Sequence, residues 1–368
     1  MKNRNNVLVI GPWVSGHIQQ WIGNDSSYNY TVVTCHKDKN KKPTMVHNLF
    51  FINRLISFSI LPFALIYYYF LVKPKIIHVH YLSSYGLISS FLPGKKIISI
   101  WGSDFNKIAN ANIMSRFIYR FVLYRYNVIN SPGEHITKQL LGFGIKKDKI
   151  ITLQYGLDFN KLENYSTSPR KNKKYVIASI RNWDDVYQIK RLITNWSEIS
   201  PQHTELWLFG KSNNKKTEKE IINLAAHNSS IKVLGFLPHD ELYQKLSCAN
   251  AFISIPKMDG TPLSVLECCY LKLIPIVSNL PFYDASIKVP QNCLLPVDFT
   301  SDELKDAIHT AIENDTNETI KIYNKSYVES HFHIFHNRKI MLDTYKKLLA
   351  EVWIYMFILY IFIFYNVR

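Results

Sequence analysis

Short apolar runs alternate with longer segments of helical period almost from the first residue. Val7 to Ile10, Tyr30 to Thr34, Ile76 to Val79, Lys96 to Ile100, Asn127 to Asn130 and Ile150 to Leu153 are brief. Several of these runs are rich in Val and Ile and apolar on both faces, the pattern of strands covered on both sides in a parallel sheet. Between them, Leu55 to Val72, Ile113 to Tyr124 and Glu134 to Leu141 read as helices, with another on the Trp21 side of the first loop. This predicts a doubly wound α/β domain. Lys161 to Lys174 breaks the rhythm: it is polar and basic, contains Pro169, and reads as a linker. A second series then begins. Tyr175 to Ser179, Leu206 to Phe209, Ile231 to Leu234, Ala251 to Ile255 and Ile274 to Val277 are its predicted strands. Lys190 to Ile199, Thr217 to His227, Asp240 to Leu246, Ser301 to Asn314 and His331 to Ala350 are its predicted helices. A chain of 368 residues exceeds one ordinary core, so two α/β halves fit its length. Sheets of this kind bind ligands outside the carboxyl ends of their strands.

The densest chemistry lies in Asp259-Gly260-Thr261-Pro262-Leu263-Ser264-Val265-Leu266-Glu267. Thr261 suits an N-cap and Pro262 the first helical position, so a helix is predicted to start here. A helix start offers unpaired N–H groups and the positive end of the dipole to a phosphate. Asp259 stays on the loop, while Glu267 lies more than a turn inside the helix. A capped helix flanked by two acids is also a common structural motif, so the stretch alone does not settle a function.

Other candidates sit at predicted strand ends. The loop Gly11 to His17 follows a strand but lacks both the G-x-G-x-x-G fingerprint and a P-loop lysine. Trp101-Gly102-Ser103-Asp104 aims Asp104 at a cleft, or else uses it as a turn or capping residue. His78 and His80 share one face of a strand; without a third ligand in view, His80 lining the cleft with His78 packed is the better reading than a metal pair. Arg181 and Lys190 follow the first strand of the second half, and two cations there suit a diphosphate.

Charge and composition narrow the partners. With 44 Lys and Arg against 28 Asp and Glu, the net charge is +16. Nucleic acid, an anionic membrane surface and phosphorylated substrates would each account for it. No zinc-finger spacing or RNP-like run supports nucleic acid. Two apolar segments bear on membranes. Leu55 to Val72 has no charge but contains Pro62, which favours a buried or interfacial helix over a span. Val352 to Tyr365 is short for a span and reads as a membrane-dipping anchor or packed tail. Cysteines at 35, 248, 268, 269 and 293 show no metal or redox spacing, which fits a reducing cytoplasm.

Taken in order, the motifs resemble those of glycosyltransferase family 4, with the GT-B fold. They are the Gly11 to His17 loop, Lys73 to His80, Ser99 to Asp104, Gln154 to Asp158, Arg181 to Lys190, Leu208 to Gly210, Val233 to Leu237, and Asp259 to Glu267 with Ile274 to Ser278. The resemblance covers about residues 5–350 and implies two Rossmann-like domains at 1–165 and 175–330 with a closing helix at 331–350 packing back toward the first; the tail at 352–368 lies beyond it. It implies that Arg181 and Lys190 hold a donor diphosphate, that Glu267 binds ribose, and that Asp259 meets the donor sugar. Gly260, Thr261, Pro262 and Leu263 would touch phosphate or sugar, Gly210 and Phe236 would line the nucleotide pocket, and Gly16 would lie near the donor phosphates. No metal or other cofactor is implied, since cationic side chains stabilise the departing diphosphate. Two departures stand out: Asp259 replaces the usual Glu, and Trp101 replaces a frequent His. Asp104 thereby becomes the candidate acceptor-side base, with His17 and His80 in reserve. The expected activity is retaining transfer from a UDP- or GDP-sugar to a lipid-linked saccharide in bacterial surface polysaccharide assembly. It would take place at the inner face of the plasma membrane, with the tail as a candidate anchor. A nucleotide-sugar epimerase and a non-catalytic membrane scaffold of the same fold are the rival readings.

Overall fold

The structure is a computed structural model that describes residues 4–22, 26–37, 45–50, 53–109, 111–166 and 173–365, with side chains for all of these except His17, Lys107, Ser166, Asp284, Ala285 and 351–365. It divides into two compact units, Met1–Tyr155 with Ile334–Arg368, and Gly156–His333. In the first unit, strands β1 (Asn5–Ile10), β2 (Tyr28–Thr34), β3 (Val46–Asn48), β4 (Ile76–His80), β5 (Lys95–Ser99), β6 (Val128–Ser131) and β7 (Ile150–Thr152) form one sheet. Their order is β3-β2-β1-β4-β5-β6-β7 and each described ladder is parallel. Helices α1 (Gly16–Ile22), α2 (Arg54–Val72), α3 (Leu87–Ser89), α4 (Ser103–Ala109), α5 (Ile113–Tyr124) and α6 (Glu134–Gly142) lie between the strands in sequence.

The second unit opens with α7 (Phe159–Ser166) and then repeats the plan. Its strands are β8 (Tyr175–Ser179), β9 (Thr204–Phe209), β10 (Ile231–Gly235), β11 (Ala251–Ser254), β12 (Ile274–Ser278) and β13 (Leu294–Leu295). They are again parallel, in the order β10-β9-β8-β11-β12-β13. Its helices are α8 (Ile189–Ile199), α9 (Lys215–Ala226), α10 (His239–Leu246), α11 (Leu263–Tyr270), α12 (Pro281–Ser286), α13 (Ser301–Glu313) and α14 (Glu318–His331). The last helix of the chain, α15 (Ile334–Tyr365), belongs to the first unit.

Strand order reverses direction between β1 and β4 and between β8 and β11, and these are the points where such sheets open a binding crevice. The central strands are buried along nearly their whole length, which explains why they read as continuous apolar runs. Local signals set the helix ends. Asn53 caps α2 by accepting the Ile56 N–H at 3.0 Å, and Lys73, at φ +48 before Pro74, ends it. Thr300 and Glu303 form a reciprocal capping box at the start of α13.

Several boundaries differ from the sequence expectation. Much of the expected linker is helix: α7 covers Phe159–Ser166, and residues 167–172 lie outside the described set. The second unit therefore begins at Gly156, ahead of the expected boundary. There Gly156 adopts φ +86, and a Cβ would sit 2.1 Å from the Phe332 carbonyl oxygen, which accepts the Leu157 N–H at 2.7 Å. Pro62 removes one N–H from α2 without ending it. The backbone of 352–365 is continuous with α15 rather than a separate segment.

The first part of α15 packs on its own unit. Tyr345 meets the Nδ1 of His78 at 2.5 Å, while the other ring nitrogen of His78 meets Ser99 Oγ at 2.8 Å. Asn337 donates to the Gln154 carbonyl at 2.7 Å, and Arg338 donates to the Gln20 carbonyl at 2.6 Å. Burial holds His78 down to about 3, so the ring is neutral and depends on these two hydroxyls for its polar contacts. Tyr345→Phe is expected to lower the unfolding free energy by about 1–3 kcal/mol, the cost of stranding a buried polar atom. Denaturant titration of the purified variant against the parent protein measures it.

Candidate functional site

The carboxyl end of the second sheet collects most of the residues singled out in the sequence. Arg181 follows β8, Gly210 follows β9, Phe236 follows β10 and Asp259 follows β11. Arg181 and Asp259 therefore come from the two strands that flank the switch point. They form an ion pair through Nη2 and Oδ2, and the other guanidinium nitrogen donates to Ser264 Oγ at 2.8 Å. Arg181 is 7% exposed, its guanidinium lies 4.4 Å from the centre of the Tyr187 ring, and its Nε has no partner among the described residues. Burial opposes its charge, but Asp259 and the neighbouring tyrosines outweigh burial and raise its pKa above the ordinary value.

Ser264 lies in the first turn of α11, so the guanidinium is tied to a helix start. Leading N–H groups of a helix have no intrahelical partners and favour an anion. The cap itself differs from the sequence expectation by one position. Pro262, not Thr261, is the N-cap, and Leu263 opens the helix; no side-chain cap bond is made by Pro262. Gly260 and Thr261 are buried in the approach to it. The Gly260 N–H donates to Asp259 Oδ1 at 2.9 Å. Both oxygens of Asp259 are thus engaged inside the protein. The structure gives it the task of holding Arg181, where a direct meeting with donor sugar was expected.

Glu267 stands further along α11. Tyr243, from α10, donates to its Oε1 at 2.8 Å, and His239 meets the same tyrosine hydroxyl at 3.1 Å. An edge of Glu267 reaches the surface, but desolvation raises its carboxyl to about 7 against the lowering effect of the Tyr243 bond. Gly210 adopts φ +118, and a Cβ there would sit 2.3 Å from the Arg181 carbonyl oxygen. Only glycine lets β9 end this close to the Arg181 backbone. Phe236 is 65% exposed with the Lys211 ammonium 4.1 Å from its ring centre, an open aromatic platform beside a cation.

Lys190 is on α8 and pairs with Glu220 of α9, both side chains being largely solvated. It lines a cavity of about 350 Å³ with Asp184, Asp185, Gln188, Arg191 and Lys257 among the other walls. Lys190 and Arg181 therefore follow the same strand but have different partners.

In the first unit, a cavity of about 350 Å³ opens at the carboxyl ends of β1, β2, β4 and β5. Pro12, Ser15, His36, Arg54, Tyr81 and Trp101 help line it. Gly16 opens α1, with open space where a Cβ would be. Tyr81 holds φ +79 at the switch point, a conformation costly for an aromatic residue. Asp104 explains how it persists. This buried carboxylate accepts the N–H groups of Leu82 at 2.6 Å, Trp101 at 3.0 Å and Phe105 at 3.0 Å. It braces the loops after β4 and β5, and its oxygens face inward. Burial raises its pKa and these three donors lower it. The expected role as acceptor-side base does not fit that geometry. His80 does not fit its reserve role either: it is fully buried and stacked on His78 with ring centres 4.3 Å apart. The side chain of His17 lies outside the described set. Among the described residues, no group of three or more His, Cys, Asp or Glu stands together as a metal site.

Ser264, Tyr187, Tyr243 and Tyr81 were not singled out from the sequence. Ser264 lay in view inside the Asp259 to Glu267 stretch; the tyrosines carry no motif that would mark them.

Two Rossmann-like units with parallel sheets of seven and six strands define a GT-B glycosyltransferase fold. Solved structures share it. Sucrose-phosphate synthase from Thermosynechococcus elongatus superposes with a TM-score of 0.76 at 13% identity, over 95% of this chain and 100% of that one. Anabaena Alr3699/HepE, solved with UDP and glucose, gives 0.71 at 11% identity over 94% and 100%. The apo lipopolysaccharide outer core galactosyltransferase WaaB gives 0.65 at 13% identity over 93% and 99%. The model of glycosyl transferases group 1 matches residues 161–327, and that of glycosyl transferase 4-like proteins matches residues 6–132. The chain is a glycosyltransferase similar to family 4. No curated protein matches it in sequence.

Asp259→Asn leaves a buried guanidinium without its counter-charge. Loss of one partner of a buried ion pair destabilises by about 3–5 kcal/mol. With Ser264 and the Tyr187 ring still in place, the low end, about 3 kcal/mol, is expected in denaturant titration.

Proposed function

We propose that this glycosyltransferase takes a UDP- or GDP-sugar as donor and holds the diphosphate between Arg181 and the first turn of α11. The observation that carries the reading is the buried Arg181 guanidinium, fixed by Asp259 and Ser264, with its Nε–H unpartnered among the described residues. An oriented cation beside a helix start is suited to charge that develops on a departing diphosphate. Lys190 adds a second, more exposed cation after the same strand, paired with Glu220. Glu267 takes the ribose hydroxyls, Gly210 lets backbone approach the nucleotide, and Phe236 offers a face to the base. Asp259 orients Arg181 rather than the sugar. HepE with UDP and glucose supports the donor class.

The acceptor is a lipid-linked saccharide, and the product contributes to bacterial surface polysaccharide. The first-unit cavity, with Trp101 and Tyr81 as aromatic walls and Arg54 as a cation, suits a saccharide bearing phosphate. WaaB, a lipopolysaccharide galactosyltransferase of the same fold, supports this choice. Retention of configuration follows the family resemblance. The enzyme works from the cytoplasmic face of the membrane.

Calorimetry with UDP, GDP and their glucose conjugates tests the donor site. Arg181→Ala and Glu267→Ala should abolish transfer. Burial holds Glu267 at about 7, and its ionised form accepts ribose hydroxyls through both oxygens far more strongly than the protonated form, which turns one oxygen into a donor. Donor affinity is therefore full above that value and falls by up to about tenfold per pH unit below it. Glu267→Gln should bind about ten- to a hundredfold more weakly and lose that slope. Comparing the two proteins cancels titration of the ligand itself. Equal affinity and equal slope in both would remove Glu267 from the ribose site.

A further inference from the structure

An apolar face on the first unit has no partner within the chain. On α2, Ser57, Leu61 and Leu65 are buried against the sheet, while Leu55, Phe63, Ile66, Tyr67, Phe70 and Leu71 are each more than half exposed. On α5, Val122 and Leu123 are buried, while Ile113, Met114, Phe117 and Phe121 are exposed. Both helices feed the same hydrophobic core. The crossovers from β3 to β4, β4 to β5 and β5 to β6 advance in one direction across the sheet. Right-handed connection then puts α2, α3 and α5 on one side of it. Phe91, just after α3, joins α3 to α5: it is 63% exposed, and the Arg125 guanidinium lies 5.5 Å from its ring and 5.8 Å from that of Phe121, while α3 in turn packs beside α2. Arg125 also donates to the Ser90 carbonyl at 2.9 Å. The exposed apolar side chains are therefore one surface, far beyond the scattered residues normal for a soluble monomer.

Charge identifies the occupant. Residues 45–133 contain nine Lys and Arg and a single acid, Asp104. That acid is buried beneath the surface, 1% exposed, and spent on backbone N–H groups. Arg116, Arg120 and Arg125 are exposed along α5, and Lys73 and Lys75 flank the end of α2; among the described residues none of these five pairs with a carboxylate. Aromatic and aliphatic side chains rimmed by unpaired cations match the interfacial region of an anionic bilayer. A protein partner would need its own acids opposite each arginine and an apolar groove over two helices. A bilayer supplies both everywhere.

Among the described residues α2 is the one helix long and apolar enough to cross a membrane by length and composition. Its buried stripe argues against crossing, because a spanning α2 would have to leave the core that Leu61 and Leu65 complete. We propose that the first unit docks on an anionic lipid surface through the face formed by α2, α5 and Phe91, with both helices lying in the interface. The proposal deepens the lipid-linked acceptor reading. Arg54 and Phe58 of α2 also line the first-unit cavity, so the docking helix is a wall of that cavity.

The test uses the full-length protein and vesicles, with no donor or acceptor present. Binding is measured by co-sedimentation with vesicles of equal parts phosphatidylglycerol and phosphatidylcholine, and with phosphatidylcholine alone. Strong binding to the first, little to the second, and weakening with added salt are expected. Arg116→Gln with Arg120→Gln should weaken binding by about tenfold or more, and Phe63→Ser with Phe117→Ser by at least about tenfold. All four side chains are exposed, so unchanged thermal unfolding and UDP calorimetry should accompany the loss. Equal binding to both lipids, or unchanged binding in both double variants, overturns the proposal. Self-association of the parent protein in sedimentation velocity that the same variants abolish, without any vesicle effect, also overturns it in favour of a second copy. Failure here with donor binding intact leaves the donor reading standing; the converse leaves the docking face standing.

Discussion

All described strands of both sheets run parallel to their neighbours, and that constraint sends each strand-to-helix loop out of the same edge of its sheet. Everything with chemical potential in either unit is gathered there as a consequence. In the second unit the loops after β8 and β11, parted by the reversal of strand order, deliver Arg181 and Asp259 to one point. The next loops along the sheet deliver Gly210 and Phe236. A buried guanidinium carries a large desolvation cost, and a single hydrogen bond would neither offset that cost nor fix its direction. Asp259, Ser264 and the Tyr187 ring together supply charge, direction and a packed face. The first unit applies the same rule, except that a buried Asp104 takes the place of the ion pair and stabilises loops instead of a cation.

The strands were legible because a parallel sheet buried on both faces writes its position as continuous Val and Ile. What escaped were elements too short to show a pattern, such as Val46–Asn48 and Leu294–Leu295, or elements whose period was masked by charge, such as Glu318–His331. Among the candidate site residues, the start of α11 is legible from its Thr and Pro to within one position, while Gly210 came from the resemblance and not from any local pattern. Those whose role depends on a distant partner were not legible. Nothing local tells an acid that braces three N–H groups from one that accepts a proton: the turn or capping role stood open for Asp104, and the resemblance tipped the reading toward a base. Nothing local reveals that Asp259 faces Arg181 across a separation of 78 residues. The resemblance to family 4 pointed to stretches that end at the carboxyl edge of the second sheet, and burial and pairing decide what each side chain there can do.

The positive charge of the chain also resolves into distinct physical roles. Arg181 is buried, paired and directional. Lys190 and Arg191 are part-exposed, paired with Glu220 of α9 and with Asp298 just before α13. Among the described residues the arginines of α5 have no carboxylate partner, and they sit among exposed aromatic side chains. A net charge of +16 is thus not one property. Long-range attraction to any anion would follow from the sum, while a buried, oriented cation such as Arg181 adds direction.

The aspartate at position 259, where the family more often has glutamate, fits this division. A side chain one methylene shorter keeps the carboxylate close to its own loop, where Oδ1 accepts the Gly260 N–H and Oδ2 meets Arg181. The loop approaching α11 is thereby tied to the guanidinium at both ends: by Asp259 before the helix and by Ser264 within it. A longer acid could extend past Arg181 toward a bound sugar; this one is committed to the cation. On the proposed donor reading, position 259 therefore acts through Arg181, and the same cluster sets the place of the backbone at Gly260 and Thr261.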